Sequence, residues 1–352
     1  MTTQDFIGKE NFNIHSQTVS ESCPSNIALI KYWGKYDNQI PANPSISYTL
    51  NHCKTNTSME FTADAPFSVQ TFLSGNEEVK FAEKIEKYFK NIEQYLPWIL
   101  KGKYMIRTEN TFPHSSGIAS SASGFGAIAK CLMALDASFS EKTSEEESLR
   151  KASFLARLGS GSACRSLYNG LVVWGESDEV EGSSDLFGVQ YPDSEVHEVF
   201  KSFNDWVLLI HEGQKSVSST VGHGLMNTNP YAERRFQEAR ENFVPIKDIL
   251  KSGDMERFIK LVEHEALTLH AMMMMSDPAF ILMKTGTLEV INKIWDFRRE
   301  TRLPLFFTLD AGANVHLLFP SNDSEEQIKT FIKAELLQHT QKNGVVKDMM
   351  KF

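Results

Sequence analysis

Along this chain the apolar positions change their spacing several times, and each change predicts a new element. Residues 27–32 form a mostly apolar run, and residues 45–50 and 55–61 alternate with period two. The region 22–62 is therefore predicted as β structure, interrupted by Pro41 and Pro44. Phe81, Ile85, Phe89, Ile92 and Leu96 recur at helical spacing and predict a helix over 77–100. A short strand follows at 104–108, then a loop carrying Pro113, Ser115, Ser116 and Gly117, then a buried Ala- and Gly-rich helix over 119–135. The acidic stretch 141–147 is best taken as a solvated face, residues 154–158 are apolar, and 171–174 predicts a strand leaving a Ser/Gly turn. Residues 176–195, acidic with Gly182 and Pro192, have the character of a linker, which divides the chain into units 1–190 and 191–352. Beyond it come strands at 206–211, 306–309 and 315–319, and helices over 231–249, 255–275, 287–299 and 325–339. Strands and helices mix without regular βαβ alternation, so the pattern predicts an α+β fold. There is no internal repeat and no low-complexity tract.

Composition narrows the function more than the fold. The chain has 352 residues, 41% hydrophobic and 23% charged, as in ordinary globular proteins. Its apolar runs fall far short of the ~18 residues a membrane span needs. The N-terminus carries no basic flank before an apolar core, so no signal peptide is expected and a cytoplasmic location is. A formal charge of −9 argues against broad nucleic-acid binding; an anionic ligand must be held by local donors against the net field. Cys23, Cys53, Cys131 and Cys164 include no CxxC pair, which fits buried thiols rather than a disulfide or zinc framework.

Four segments carry candidate chemistry. Residues 113–124 read Pro-His-Ser-Ser-Gly-Ile-Ala-Ser-Ser-Ala-Ser-Gly. Gly117 permits close backbone approach, and Ser120, Ser121 and Ser123 set hydroxyls at a helix start, an arrangement suited to phosphate and equally to a plain capped helix. The segment is neither GxxxxGK[ST] nor GxGxxG. A second Ser/Gly turn, residues 159–166, ends on Arg165, whose planar fork suits a carboxylate or phosphate. Lys31 ends an apolar run, where burial demands a counter-ion unless it reaches water. Asp310 ends another before Ala311 and Gly312, as a base facing a site or a simple turn residue. His264 and Glu265 lack the HExxH spacing, because Thr268 stands where the second His belongs. Met272–Met275 suits core or interface packing, and His114 and His223 fall in loops, either able to brush an anionic ligand.

In combination these segments resemble the GHMP family of small-molecule kinases and, within it, the mevalonate 5-diphosphate decarboxylases. The resemblance runs from about residue 25 to 319. It rests on Asn26-Ile27-Ala28-Leu29-Ile30-Lys31-Tyr32-Trp33-Gly34-Lys35, Ser45-Ile46-Ser47, the loop 117–124, the turn 159–166, Val217-Ser218-Ser219-Thr220 and Asp310-Ala311-Gly312. It implies a two-domain fold, a ribosomal S5 domain 2-like unit followed by a ferredoxin-like one, with the site in the cleft between them. A homodimer is usual in such a family.

The implied reaction is ATP-dependent. The tertiary 3-hydroxyl of mevalonate 5-diphosphate is phosphorylated, and loss of phosphate and CO₂ gives isopentenyl diphosphate. The resemblance makes Asp310 the base, Lys31 its partner and Arg165 the carboxylate clamp, helped by Ser160, Gly161 and Ser162. It implies that Tyr32, Lys35, Ser219 and Ala311 also meet the substrate. Gly117, Ala119, Ser120, Ser121 and Ser123 match the cradle for ATP, with Mg²⁺ held largely by phosphates and water. Departures are Ala313 where Pro is usual, expected to loosen its turn, Thr220 where some members carry Arg, Pro44, and residues 114–116. They leave open a mevalonate 5-phosphate decarboxylase or a kinase of a mevalonate derivative. Retention of both Lys31 and Asp310 argues against a kinase alone and against a non-catalytic nucleotide-binding regulator.

Overall fold

A computed structural model describes residues 1–113, 118–140, 143–211, 213, 217–350 and 352. The strands are β1 (Gln17–Ile30), β2 (Ser45–Ala63), β3 (Ser68–Leu73), β4 (Asn76–Glu77), β5 (Gly102–Asn110), β6 (Leu171–Trp174), β7 (Val189–Gln190), β8 (Phe203–Leu208), β9 (Phe306–Thr308), β10 (Val315–Pro320) and β11 (Val345–Met349). The helices are α1 (Val79–Ile92), α2 (Ser120–Phe139), α3 (Glu145–Gly159), α4 (Ser219–Leu225), α5 (Ala232–Ser252), α6 (Met255–Met274), α7 (Thr285–Thr301) and α8 (Glu325–Phe331). Among the described residues the strands make two sheets, ordered β4-β3-β5-β2-β6-β7 with β1 on β2, and β11-β8-β10-β9. Only the β3–β5 pairing is parallel, so the α+β expectation agrees with the architecture.

The long strand β2 organises the first sheet. Its residues 45–50 are buried on both faces and its remainder alternates, which is why the pattern predicted two strands where there is one. The joint at Asn51–Cys53 is straightened by a distant group. Asp348 on β11 accepts the backbone N–H of Asn51, His52 and Cys53 at 3.0, 2.9 and 2.6 Å. β11 itself pairs with β8, and Met350 bridges Leu50, so the last strand serves both sheets.

Helix α2 lies against β1 and β2 and is buried almost all round. A Cβ on Gly126 would fall 2.3 Å from Cys23 Sγ, which explains the small residues in this helix. α3 begins with a capping box of Ser144 and Glu147, so the acidic stretch is a solvated first turn with a structural task. The 176–195 segment is less of a linker than its composition suggests. Val180, Phe187 and Tyr191 are buried, and β7 pairs with β6. The predicted helix over 77–100 ends at Ile92, and a 3₁₀ turn over Glu93–Tyr95 carries the chain toward Pro97. One hydrophobic cluster fills the first sheet's helix layer and another the second sheet's. A third joins Ile27, Tyr48 and Leu171 to Val207, Phe243 and Phe306, so the two sheets share packed core.

Candidate active site

The site grows from the end of β1. There the Lys31 N–H donates to Glu265 Oε2 at 2.8 Å, and its carbonyl accepts from Asn43 Nδ2 at 3.0 Å. Glu265 is fully buried on α6, paired with buried Arg235 of α5 and accepting from Asn242 Nδ2 at 2.7 Å. This network fixes the Lys31 backbone, so the side chain has one course, toward Asp310. Nζ lies 3.0 Å from Oδ1, with the lysine side chain 2% and the aspartate 24% exposed. Burial pulls the Lys31 pKa below the ordinary lysine value and Asp310 opposes that shift.

Asp310 follows β9 in a turn pinned at several points. His270 Nε2 donates to its carbonyl at 3.1 Å, Thr287 Oγ1 to the Ala313 carbonyl at 2.6 Å, and His211 N–H to Asn314 Oδ1 at 2.9 Å. Hydrogen bonds thus hold the turn where a proline is usual in the family resemblance.

Arg165 sits on a short 3₁₀ segment, Gly161–Leu167, and is 3% exposed. Its guanidinium donates to Asn26 Oδ1 at 3.3 Å and to Ser45 Oγ, and lies 5.7 Å from the Trp174 ring centre. Among the described residues no carboxylate stands within ion-pair distance of it. Burial lowers its pKa from the ordinary arginine value, and a buried cation whose acceptors are the neutral oxygens of Asn26 and Ser45 is well matched to an incoming anion. Gly161 is obligatory here, since a Cβ would come 2.6 Å from Trp174 and 3.0 Å from the Tyr32 hydroxyl.

These groups face one cleft of about 770 Å³. Lys31, Tyr32, Lys35, Ala119, Ser120, Ser121, Ser160, Gly161, Ser162, Arg165, Ser219, Asp310 and Ala311 all line it. Gly117 lies outside the described residues. Ser123 is the exception among the site residues drawn from sequence: it is fully buried, 2.6 Å from the Thr55 hydroxyl, and donates to the Ser120 carbonyl at 3.3 Å. It faces the interior of α2 and braces the helix start rather than the cleft. Ala119, just before α2, adopts a left-handed conformation (φ 40°, ψ 44°), a strained turn that aims the helix start at the cleft.

Residues 23–185 match the diphosphomevalonate decarboxylase-like N-terminal domain, and residues 206–351 the mevalonate 5-diphosphate decarboxylase C-terminal domain. A diphosphomevalonate decarboxylase of Saccharomyces cerevisiae is 31% identical over 343 residues, covering 90% of this chain and 81% of the relative. The chain belongs to the diphosphomevalonate decarboxylase family. Among solved structures, the mevalonate diphosphate decarboxylase of Staphylococcus aureus superposes with a TM-score of 0.80 at 29% identity, over 95% of this chain and 96% of that one. The mevalonate diphosphate decarboxylase of Enterococcus faecalis gives 0.78 at 26%, over 96% and 99%. A structure described as MDDEF in complex with MVAPP, AMPPCP and magnesium gives 0.79 at 26%, over 96% and 100%.

This diphosphomevalonate decarboxylase family member also has cleft residues outside the motifs, of which only His223 was noted in sequence as able to meet an anion. Lys84, Lys87, Tyr88 and Asn91 reach the cleft from α1, Gln39 from the loop beside Lys35, and His223 from α4. Lys84, Lys87 and Asn91 are legible only as the polar side of an amphipathic helix, and Tyr88 belongs to its buried face. His223 is a loop residue by its Gly neighbours and a helical one in the fold, because Ser218 caps the Val221 N–H at 3.3 Å. Burial pulls the Lys35 and Lys84 pKa values below the ordinary lysine value, Lys84 adding to the shift on Lys35. Among the described residues no cluster of three or more His, Cys, Asp or Glu suits a metal, and the cleft's one carboxylate is Asp310. The donor set fits phosphate oxygens, so a divalent cation would arrive with a nucleotide and be held mainly by it.

Proposed function

We propose that this chain uses ATP to phosphorylate the 3-hydroxyl of mevalonate 5-diphosphate and releases isopentenyl diphosphate, ADP, phosphate and CO₂. The observation that carries this reading is the Lys31–Asp310 pair sharing a cleft with an Arg165 that has no carboxylate partner among the described residues. The ligands of one solved structural relative, MVAPP with AMPPCP and magnesium, support it.

Each group then has a task. Asp310 accepts the proton of the tertiary hydroxyl as its oxygen bonds to the γ-phosphorus of ATP, and ADP departs. Lys31 keeps that carboxylate ionised and offsets charge on the phosphoryl group in flight. Arg165, with Ser160 and Ser162, holds the substrate carboxylate in one plane. When the C3–O bond breaks with loss of phosphate, the electrons of the carboxylate C–C bond form the new double bond and CO₂ leaves. Tyr32, Lys35, Ser219 and Ala311 take the 5-diphosphate side. Ala119, Ser120 and Ser121 take the nucleotide phosphates, with the α1 lysines beside them; the resemblance adds Gly117, which lies outside the described residues. Magnesium, when bound, screens the phosphate charge.

The units 1–190 and 191–352 are our division of the chain, consistent with the gap between the two family matches. A homodimer rests on the family resemblance, and a cytoplasmic location is an expectation from the N-terminal sequence and the unpaired cysteine spacing; no helix among the described residues is long and apolar enough to cross a membrane. The uncharged Thr220 in the cleft wall favours testing the monophosphate as a second substrate. The experiment follows ADP and CO₂ together with each substrate and MgATP. Equal ADP and CO₂ from the diphosphate alone supports the proposal; equal amounts from the monophosphate alone replaces the substrate; ADP without CO₂ makes it a kinase.

A further inference from the structure

One wall of the cleft is a row of rings. Arg165 lies over Trp174, Trp174 is 4.6 Å from Tyr32, Tyr32 is 4.4 Å from His223, and His223 is 4.4 Å from Trp33. His223 therefore stands near the far end of the row from the carboxylate clamp, two rings beyond Trp174 and next to Trp33. Lys35 is the charged group that acts on it, whereas Lys31, Asp310 and Arg165 act on one another. The proposed function puts the substrate's tail there, because it sets the carboxylate on Arg165 and the diphosphate beside Lys35.

The ring's tautomer is set by the backbone. The Gly34 N–H donates to Nδ1 at 3.0 Å, so a neutral ring carries its proton on Nε2. Nε2 meets no hydrogen-bond partner among the described residues, on a ring that is 8% exposed and lines the cleft. Burial, with Lys35 adding to it, holds the pKa down to about 3, so the ring is an uncharged donor throughout the physiological range.

We propose that His223 is a specificity-determining residue whose Nε2–H donates to an oxygen of the substrate's terminal phosphate. The proposal deepens the decarboxylase reading and rests on its diphosphate tail. A cation attracts any anion over a range of distances, whereas a neutral N–H locked between two rings rewards only an oxygen at one place. Lys35 supplies the charge and His223 the direction. Thr220, on the preceding turn of α4, contributes no charge of its own. A tail one phosphate shorter leaves Nε2–H without a partner, so the residue discriminates by length.

Two variants and one titration test this. His223→Phe keeps the ring row and removes the donor; His223→Gln retains a donor near the Nε2 position. With the diphosphate, His223→Phe should raise KM about 10- to 100-fold, the size of a lost hydrogen bond to a charged group. KM for the monophosphate and for ATP should move less than about threefold, and His223→Gln should recover most of the loss. Equal losses with both substrates, or a glutamine no better than phenylalanine, would mean that the ring only packs the wall and would overturn the proposal. The wild-type protein, labelled with ¹⁵N-histidine and titrated with inorganic pyrophosphate, gives a readout that needs no variant to fold. The His223 Nε2–H signal should shift saturably; an unmoved signal with pyrophosphate bound, or no binding, overturns the assignment. Lack of turnover with mevalonate 5-diphosphate would instead sink the functional reading, while the titration still judges His223.

Discussion

Burial at the end of β1 pulls the Lys31 ammonium toward its neutral form, and Asp310 at 3.0 Å pulls it back. The balance leaves the pKa below that of an ordinary lysine, so raising the pH removes this proton early and breaks the pair. Lys35 and Lys84 are shifted the same way. The alkaline limb of kcat/KM should accordingly begin below pH 10.5, the unperturbed lysine value, and a pH–rate profile flat to that point would contradict the assignment. Asp310→Asn should lower kcat at least about 1,000-fold, by removing the proton acceptor and the ion pair together, while leaving ATP affinity within a few-fold. Calorimetric ATP titration and single-turnover kinetics separate the two effects. Arg165→Lys keeps the charge and loses the fork that Asn26, Ser45 and Trp174 hold in place; kcat/KM for the substrate should fall about 100-fold, against little change for ATP. Lys31, Arg165 and Asp310 were legible in sequence because a charged residue at the edge of an apolar run or a Ser/Gly turn is locally anomalous. Ser123 looked equivalent to Ser120 and Ser121, yet helix periodicity turns it inward to Thr55. Lys84 and His223 carried no such anomaly, since a lysine on a helix face and a histidine beside glycines are both ordinary.

Elements set the site as much as side chains do. α2 starts from Ala119 in a left-handed conformation that an L-residue adopts at a cost of about 1–2 kcal/mol. Ala119→Gly should be neutral or stabilising, and Ala119→Val should lower stability by about 1–3 kcal/mol and weaken ATP binding; melting temperatures with and without MgATP check both. Behind β1, the Glu265–Arg235 pair is buried on both sides. Arg235→Met should cost about 3–5 kcal/mol by stranding the carboxylate. Adding Glu265→Leu should recover much of that stability in denaturant melts but not the activity, because the Lys31 N–H then lacks its acceptor. Recovery of both would show that the pair serves folding alone. Long elements with one periodicity were read well from sequence: α5, α6, α7, β8 and β10 fall within a few residues of their predicted places. The misses share a cause. β2 was split because polar Asn51 and His52 interrupt its pattern, and the carboxylate that satisfies them is 297 residues away. α4 was hidden by Gly222 and Gly224, which are poor helix formers and are helical here through their cap and packing.

Across the whole molecule a net charge of −9 coexists with a cleft in which Lys31, Lys35, Lys84, Lys87 and Arg165 converge, so the positive field is local. The α+β class and the α2 segment with its neighbouring motifs were visible in composition and pattern, whereas the way the two sheets lock together was not. That lock is Asp348, which accepts from three backbone N–H groups of the other sheet. Asp348→Ala should cost roughly 2–4 kcal/mol by leaving those amides without their acceptor. Urea melts should then separate into two transitions if the sheets have come to unfold independently, and a single unshifted transition would show the latch to be dispensable. The latch also has a bearing on manufacture. As the ribosome extrudes this polypeptide, β2 is made early and its central amides stay with water until nearly three hundred more residues have been translated. A premature stop codon that removed only the final strand would leave the reactive residues in place, yet deprive the first-made sheet of the clasp that completes it.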